Sequence, residues 1–221
     1  QQCSDSLVNM LNFGNNKNVP LLSWRNEPRF LALKSCITDG TLKDLSSIKI
    51  LRIDRRKVNI NSLIYRELDI CQWLIDSEID YIYSVAGGQR TINMIMKLKS
   101  DVVCTIEIAA TLANDAQPID KHEVISSKGL AVDKVVDTQI TQNSVYMYTD
   151  AKDPYTYTDI DFELYGLEPS DVALVYSALD ILQGNVRSDE LIERDRILKK
   201  LVTMALKSAE KLQKITLEDI Y

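Results

Sequence analysis

The sequence predicts an α+β fold, a largely antiparallel or mixed open β-sheet with helices on one face. Apolar residues recur with helical spacing as far as Asp76, then alternate with period 2 from Ile79 to about residue 149, and return to helical spacing after residue 170. The strand-like segments are joined by short turns, the pattern of an antiparallel sheet. A chain of 221 residues, 45% of them apolar, buries a sizeable core as one main domain with an appended helical unit.

Residues 4–13 (SDSLVNMLNF) read as an amphipathic helix with Leu7, Met10 and Leu11 on one stripe, capped by Ser4 or Asp5 and ended by Gly14-Asn15-Asn16. Val19-Pro20-Leu21-Leu22 follows as a short buried-strand run. Together they make an αβ unit with no sheet of its own to join. Residues 27–38 form a second helix, with Pro28 in its first turn, Phe30, Leu31, Leu33 and Ile37 as contacts, and Asp39-Gly40 as its stop. Ile48 to Ile53 is β-branched and strand-like.

Asn61 to Asp76 is a strong helix whose apolar face is Leu63, Ile64, Leu68, Ile70, Cys71, Leu74 and Ile75. On its other side Ser62, Arg66, Asp69 and Trp73, spaced by four, three and four, share one stripe. Beyond it, Ile79–Tyr83, Ile92–Leu98 and Cys104–Ala110 read as strands, with Gly87-Gly88 and Lys99-Ser100-Asp101 as turns. Further strands are expected at about 122–127, 130–136 and 143–149, with Ser127-Lys128-Gly129 a tight turn. Asp153 to Asp161 reads as a Tyr-rich loop. Two helices close the chain. Residues 170–183 pack through Val172, Val175, Leu179 and Leu182 and end at Gly184; residues 188–212 are capped by Ser188 and face inwards through Leu191, Leu198, Leu201, Val202 and Ala205.

Charge and composition exclude several functions. A net charge of −6 opposes a nucleic-acid surface, and the basic clusters at Arg52, Arg55 and Arg56 and at Lys199 and Lys200 have acidic neighbours, which reads as solvated faces. No apolar run approaches the roughly 20 residues of a membrane helix, and Gln1-Gln2-Cys3-Ser4-Asp5 is unlike a signal peptide. Cys36, Cys71 and Cys104 lie in apolar patterns, so reduced thiols and a cytoplasmic location are expected. With His122 as the single histidine, a zinc site of several imidazoles is impossible, no metal site is expected, and His122 itself reads as a structural or surface imidazole.

Several segments, in this order, resemble a known family. Val19-Pro20-Leu21-Leu22 is similar to a strand closing a Rossmann domain. Glu27-Pro28-Arg29-Phe30 with Leu33-Lys34 and Asp39-Gly40-Thr41-Leu42 is similar to a "P-x-F…K…I…G-x-L-G" crossover helix. Asp69-Ile70-Cys71-Gln72-Trp73-Leu74 resembles "H-D-x-D-x-x-x-W-L" without its histidine, and Thr105-Ile106-Glu107 and Lys128-Gly129 fit strands of the same sheet. The family is that of glucose–fructose oxidoreductase and inositol dehydrogenase, Gfo/Idh/MocA. The resemblance covers essentially the whole chain and is to the C-terminal, dihydrodipicolinate reductase-like domain.

The resemblance implies a two-domain ancestor in which an upstream Rossmann domain binds NAD(P). Residues 1–24 would be a remnant of that domain, 25–165 the sheet domain, and 166–221 a helical segment packed on it. The glycine-rich phosphate turn and the Glu-Lys-Pro lysine would both lie upstream. Gly87-Gly88 opens no helix, so no cofactor is expected on this chain and NAD(P) only in a full-length parent. In the family a histidine on the helix, three residues before the aspartate, orients substrate or moves a proton, with a partner one turn earlier. Here those positions are Arg66 and Ser62. Arginine cannot act as a base. Arg66 either pairs with Asp69 at i,i+3 or clamps a carboxylate or phosphate. Trp73 either packs the helix end or lines a sugar wall, and Asp69 holds local structure. The resemblance thus implies Ser62, Arg66, Asp69 and Trp73 as substrate-binding candidates for a small sugar-like molecule.

Glu107 reads as an exposed or interface-facing residue of the sheet. Tyr146 and Tyr148 mark one face of a strand suited to self-association, so a dimer through the sheet is expected, with no nucleic-acid or membrane partner. The expected function is the substrate-binding and oligomerisation part of an NAD(P)-dependent oxidoreductase, inactive alone. The alternative is a non-catalytic assembly or anionic-sugar-binding module.

Overall fold

Alternation along one strand sets up the centre of the molecule. In β3 (Leu45–Arg55), Ile48 and Ile50 are buried while Lys49 between them is exposed. Arg52 and Asp54 share the parity of the isoleucines, so the covered face of the strand turns polar towards its C-terminal end. The structure, a computed structural model, describes residues 7–14, 18–133, 144–149, 155–158, 166–216 and 218.

Eleven strands precede, interleave with and follow four α-helices among the described residues. β1 (Met10–Asn12) and β2 (Asn18–Pro20) form a small antiparallel hairpin. A 3-10 turn, Ser23–Asn26, leads into α1 (Pro28–Thr38), which is followed by β3 and then α2 (Ile60–Ile75). Next come β4 (Ile79–Ala86), β5 (Thr91–Leu98), β6 (Val103–Leu112), β7 (Ile119–Ser126), β8 (Gly129–Val132), β9 (Ser144–Thr149) and β10 (Tyr155–Thr158). α3 (Pro169–Gln183), α4 (Ser188–Lys211) and the short β11 (Ile215–Thr216) close the chain. Nine strands form one sheet in the order β10-β9-β8-β7-β3-β6-β5-β4-β11, antiparallel except for the central pair β3 and β6.

The fold class expected from periodicity is the one observed. α2 lies against β3 and β6 and is itself covered by α4, so it is buried nearly all round. The opposite face of the sheet is open among the described residues: Tyr83, Val85, Ile95, Thr105 and Glu107 are all exposed there. Cys36, Cys71 and Cys104 are free, buried thiols, as read from their apolar settings. No helix among the described residues is long and apolar enough to cross a membrane.

Four local readings are corrected. Over the described part of the helix expected at 4–13, residues 7–13 are not helical: Met10–Asn12 is a strand, and the Asn12 side chain accepts the Gly14 N–H at 2.7 Å. That local bond offers the backbone an alternative to the helix ladder; residues 1–6 lie outside the described part. Within 153–161, read as a loop, Tyr155–Thr158 pairs with β9, because alternating Tyr and Thr suit a pleated surface. α3 packs through Val172, Ala173, Ser177 and Ile181, whereas Val175 (54% exposed), Leu179 (40%) and Leu182 (62%) face outwards. Ser188 does not cap α4: it is the first helical residue, and Arg187 precedes it as N-cap without a side-chain bond. The inward face of α4 is as expected, with Leu191, Leu198, Leu201, Val202 and Ala205 all buried. Residues 134–136 and 143, expected in strands, and the side chains of Tyr146 and Tyr148 lie outside the described part.

Candidate functional site

α2 carries a glutamate on its apolar stripe. Glu67 follows Leu63 and Ile64 by one turn, is fully buried, and faces the polar end of the sheet. An unpaired carboxylate there costs several kcal/mol, so the fold must supply partners. His122 on β7, which pairs with Ile50 of β3, supplies one: its Nε2 lies 2.9 Å from Glu67 Oε2. Its Nδ1 lies 2.7 Å from Asp133 Oδ2, and its backbone N–H donates to Asp133 Oδ1 at 2.6 Å. The ring of Phe30 on α1 meets the imidazole edge-to-face at 4.7 Å and seals it.

Three arginines surround this line. Arg66 donates from Nη1 to Glu67 Oε1 (2.6 Å) and from Nη2 to Asp120 Oδ2 (3.1 Å) and Glu27 Oε1 (3.5 Å). Arg29 donates to Asp120 (2.6 Å), Asp133 (3.1 Å) and Glu27 (2.8 Å). Arg52 donates to Asp54 at 2.6 Å and also to Asp120. Five carboxylates therefore face three guanidinium groups, and the imidazole supplies the fourth cation. Both its ring nitrogens face carboxylates, which only the doubly protonated ring can satisfy as a donor. Burial alone would lower the His122 pKa, but Asp133 and Glu67 overcome it and push it up to about 9. Burial likewise opposes the charge on Glu67 and Asp120, and the arginines with His122 hold both below the ordinary carboxylate range. An imidazolium buried in this way cannot serve as a base near neutral pH.

Glu67, Asp120 and His122 bring one ligand atom each within 4.8 Å of one another. Arg66 and Arg29 donate to these same carboxylates and both imidazole nitrogens are taken, so the donor set does not fit a metal ion.

The four stripe residues of α2 do not form one site. Ser62 and Arg66 line a cleft of about 530 Å³, together with Asn9, Met10, Ser23 and Trp24. Asp69 is fully buried beside it. Its oxygens accept from Arg25 Nε (2.9 Å) and Nη2 (2.6 Å), Trp24 Nε1 (2.7 Å) and Arg194 Nε (2.7 Å). Burial would raise the Asp69 pKa, and Arg25, Arg194 and the Trp24 bond hold it below the usual range. Asp69 thus ties the 3-10 turn and α4 to α2, the structural role expected. Its partner is not Arg66, as the i,i+3 spacing suggested, because Arg66 is drawn to the acids at the sheet end. Trp73 lines a separate cleft of about 210 Å³ with Arg25, Asn26 and Asp180, and Lys34 Nζ lies 5.7 Å from its ring. The polar groups of the larger cleft hydrogen-bond, but none is a proton acceptor near neutral pH.

Sequence reading missed Glu67 and Asp133. Glu67 was legible: it breaks an apolar stripe, and it stands in the position after Arg66 that the "H-D-x-D" pattern fills with an acid. Asp133 carried no signal, being brought to His122 only by the β7–β8 hairpin.

The N-termini of α1, α3 and α4 do not fit a dinucleotide's phosphates. Glu27 caps α1, Glu168 caps α3 with Asp171 in its first turn, and α4 opens with Asp189 and Glu190. Negative charge at these termini repels phosphate. Gly88, at φ +74°, turns the β4–β5 hairpin and opens no helix.

No protein-family model matches the sequence, and no curated protein sequence matches it either. Solved structures do share its fold. A levoglucosan dehydrogenase in complex with NADH and levoglucosan matches with a TM-score of 0.69 at 12% identity, over 89% of this chain and 65% of that one. Scyllo-inositol dehydrogenase from Lactobacillus casei, with bound NAD(H) and scyllo-inositol, matches at 0.66 and 13%, over 89% and 64%. An oxidoreductase from Agrobacterium radiobacter, in complex with NAD+, L-tartaric acid and magnesium, matches at 0.68 and 9%, over 92% and 66%. This chain therefore spans just under two thirds of the length of the structures it matches. Its fold is that of the Gfo/Idh/MocA-type oxidoreductases.

Proposed function

We propose that this chain is the substrate-binding and oligomerisation part of an NAD(P)-dependent oxidoreductase of Gfo/Idh/MocA type, corresponding to its C-terminal domain. On this reading residues 1–24 belong with a cofactor-binding domain, 25–165 form the sheet domain and 166–221 its helical segment. NAD(P) is held by the rest of the parent protein, and this chain does not transfer hydride by itself. The observation that carries the reading is the cleft: Ser62 and Arg66, at the positions where the family places a substrate-orienting pair, both line it. The matched structures named for levoglucosan and scyllo-inositol suggest a small polyol or anhydrosugar as its occupant. The open sheet face, with Tyr83, Val85 and Ile95 exposed, is the proposed dimer contact.

Calorimetry with this chain tests the reading. Scyllo-inositol or levoglucosan should bind, Ser62→Ala should weaken that binding about tenfold, the loss of one hydrogen bond to a buried partner, and the chain mixed with polyol and NAD+ should form no NADH. NAD+-dependent oxidation of the polyol by this chain alone would overturn the division of labour, and polyol affinity unchanged in Ser62→Ala would remove the cleft as the site.

One observation favours a second reading. Arg66 stands where the family has a histidine, and His122 is locked as a cation, so neither is a base. A non-catalytic sheet-mediated assembly or anionic-sugar-binding module would show dimerisation or sugar-acid binding in a full-length parent with no NAD(P)-dependent oxidation.

A further inference from the structure

Three arginines lie at one end of the sheet with no carboxylate partner among the described residues. Arg55 ends β3 opposite Leu112 of β6, Arg56 and Lys57 form the turn into α2, and the Arg90 carbonyl accepts the Ala110 N–H at 2.8 Å. Each guanidinium is anchored by one nitrogen to a main-chain carbonyl. Arg55 Nε donates to Ala116 O (2.9 Å), Arg56 Nε to Thr111 O (3.1 Å), and Arg90 Nη1 to the carbonyl of Arg56 itself. A carbonyl accepts from an arginine without neutralising it, so the guanidinium keeps its charge and its remaining N–H groups.

The contrast with the rest of the molecule is what gives this weight. The other seven arginines each pair with a carboxylate. Among the described residues no acid lies within ion-pair distance of Arg55, Arg56, Lys57 or Arg90. Asp54, next in sequence, is buried and bound to Arg52 and to the Arg55 N–H. Asp115, in the adjoining turn, makes no ion pair with them. The turn that carries Arg56 and Lys57 runs straight into α2, whose N-cap is the neutral Asn59 and whose first turn holds no acid. Among the described helices α1, α3 and α4 all begin at or beside carboxylates, and α2 alone of the four has no acid at its positive end, which is capped by the Asn59 side chain.

We propose that Arg55, Arg56, Lys57 and Arg90 form a binding site for a multiply charged phosphate-type oxyanion, free or esterified to a small molecule. Non-specific attraction is a poor account of such binding, because the chain as a whole carries −6. The site is independent of the polyol cleft, since neither Ser62 nor Arg66 is one of its four cationic residues.

The probe is inorganic pyrophosphate, titrated into the chain at low ionic strength by calorimetry and by amide NMR, with glucose 6-phosphate as a second arm. Saturable binding is expected, with shifts confined to residues 55–61, 90 and 111–116. Arg56→Gln and Arg90→Gln should each weaken it about tenfold, the loss of a hydrogen bond to a charged group. Lys199→Gln, a basic residue elsewhere, should leave it unchanged. Tighter binding of the sugar phosphate assigns an esterified ligand, and equal or weaker binding assigns the free ion. A heat that follows ionic strength without saturating overturns the proposal, as does full affinity in an Arg56→Gln/Arg90→Gln variant whose circular dichroism matches the parent.

Discussion

Glu67 and His122 show how one buried charge dictates its neighbours. A carboxylate on the underside of α2 requires a cation from the sheet, the imidazolium requires a second carboxylate at Asp133, and the excess of acid draws in Arg29, Arg52 and Arg66. Glu67→Leu removes one partner and leaves Arg66 and His122 under-compensated; urea unfolding should show a loss of about 3–5 kcal/mol. The pH dependence has a definite sign. The His122 pKa is raised from its ordinary 6.5 to about 9, so its contribution is fully present below pH 6.5 and is lost as pH rises through 9. Glu67, Asp69 and Asp120 are held low, so they stabilise above the usual carboxylate range and lose that effect as pH falls through their folded values. Urea midpoints should fall between pH 6.5 and 9, and His122→Gln should abolish that slope while lowering stability throughout. At this scale the sequence was readable where a residue contradicts its surroundings, as Glu67 does. It was unreadable where a partner arrives through long-range pairing. Arg66 and Asp69 have ideal helical spacing for an ion pair, yet Glu67, Asp120 and Glu27 compete for the first and Arg25 and Arg194 for the second.

Elements with a single dominant period were legible from sequence. α1, α2, α4 and strands β3 to β7 stand within a few residues of where apolar spacing puts them. α3 was found and Val172 is buried as read, but the rest of its inward face was misassigned, because Val175, Leu179 and Leu182 form a second apolar stripe and spacing alone does not say which stripe meets the 3-10 turn. This yields a sharp contrast. Ile181→Ala should cost about 2–5 kcal/mol, as for a buried aliphatic side chain, whereas Leu182→Ala should stay within about 0.5 kcal/mol, as for a surface change. Thermal or urea unfolding of the two variants decides it, and equal losses would mean that both stripes are buried. The hairpin β1–β2 escaped for a different reason. Strands of three residues carry too little alternation to compete with a chance helical stripe of Leu7, Met10 and Leu11.

At the scale of the whole molecule, the sheet separates two environments. Its covered face holds the core and the ionic cluster, and its open face presents Tyr83, Val85, Ile95 and Glu107. If the open face joins two copies, Ile95→Glu should turn a dimer into a monomer by light scattering, with the monomer still folded. An unchanged mass would remove that face from the interface. The cleft proposed for substrate lies at the start of α2, and the ionic cluster that holds Arg66 leaves that wall without a base. The ionic cluster depends on the protonation of the imidazole at its heart. Because the chain has one histidine, the ring carbons and nitrogens of His122 can be followed by NMR without assignment ambiguity. They should report a doubly protonated ring through pH 8, with a midpoint near 9. A neutral tautomer at pH 7, or a midpoint at the ordinary 6.5, would contradict the account.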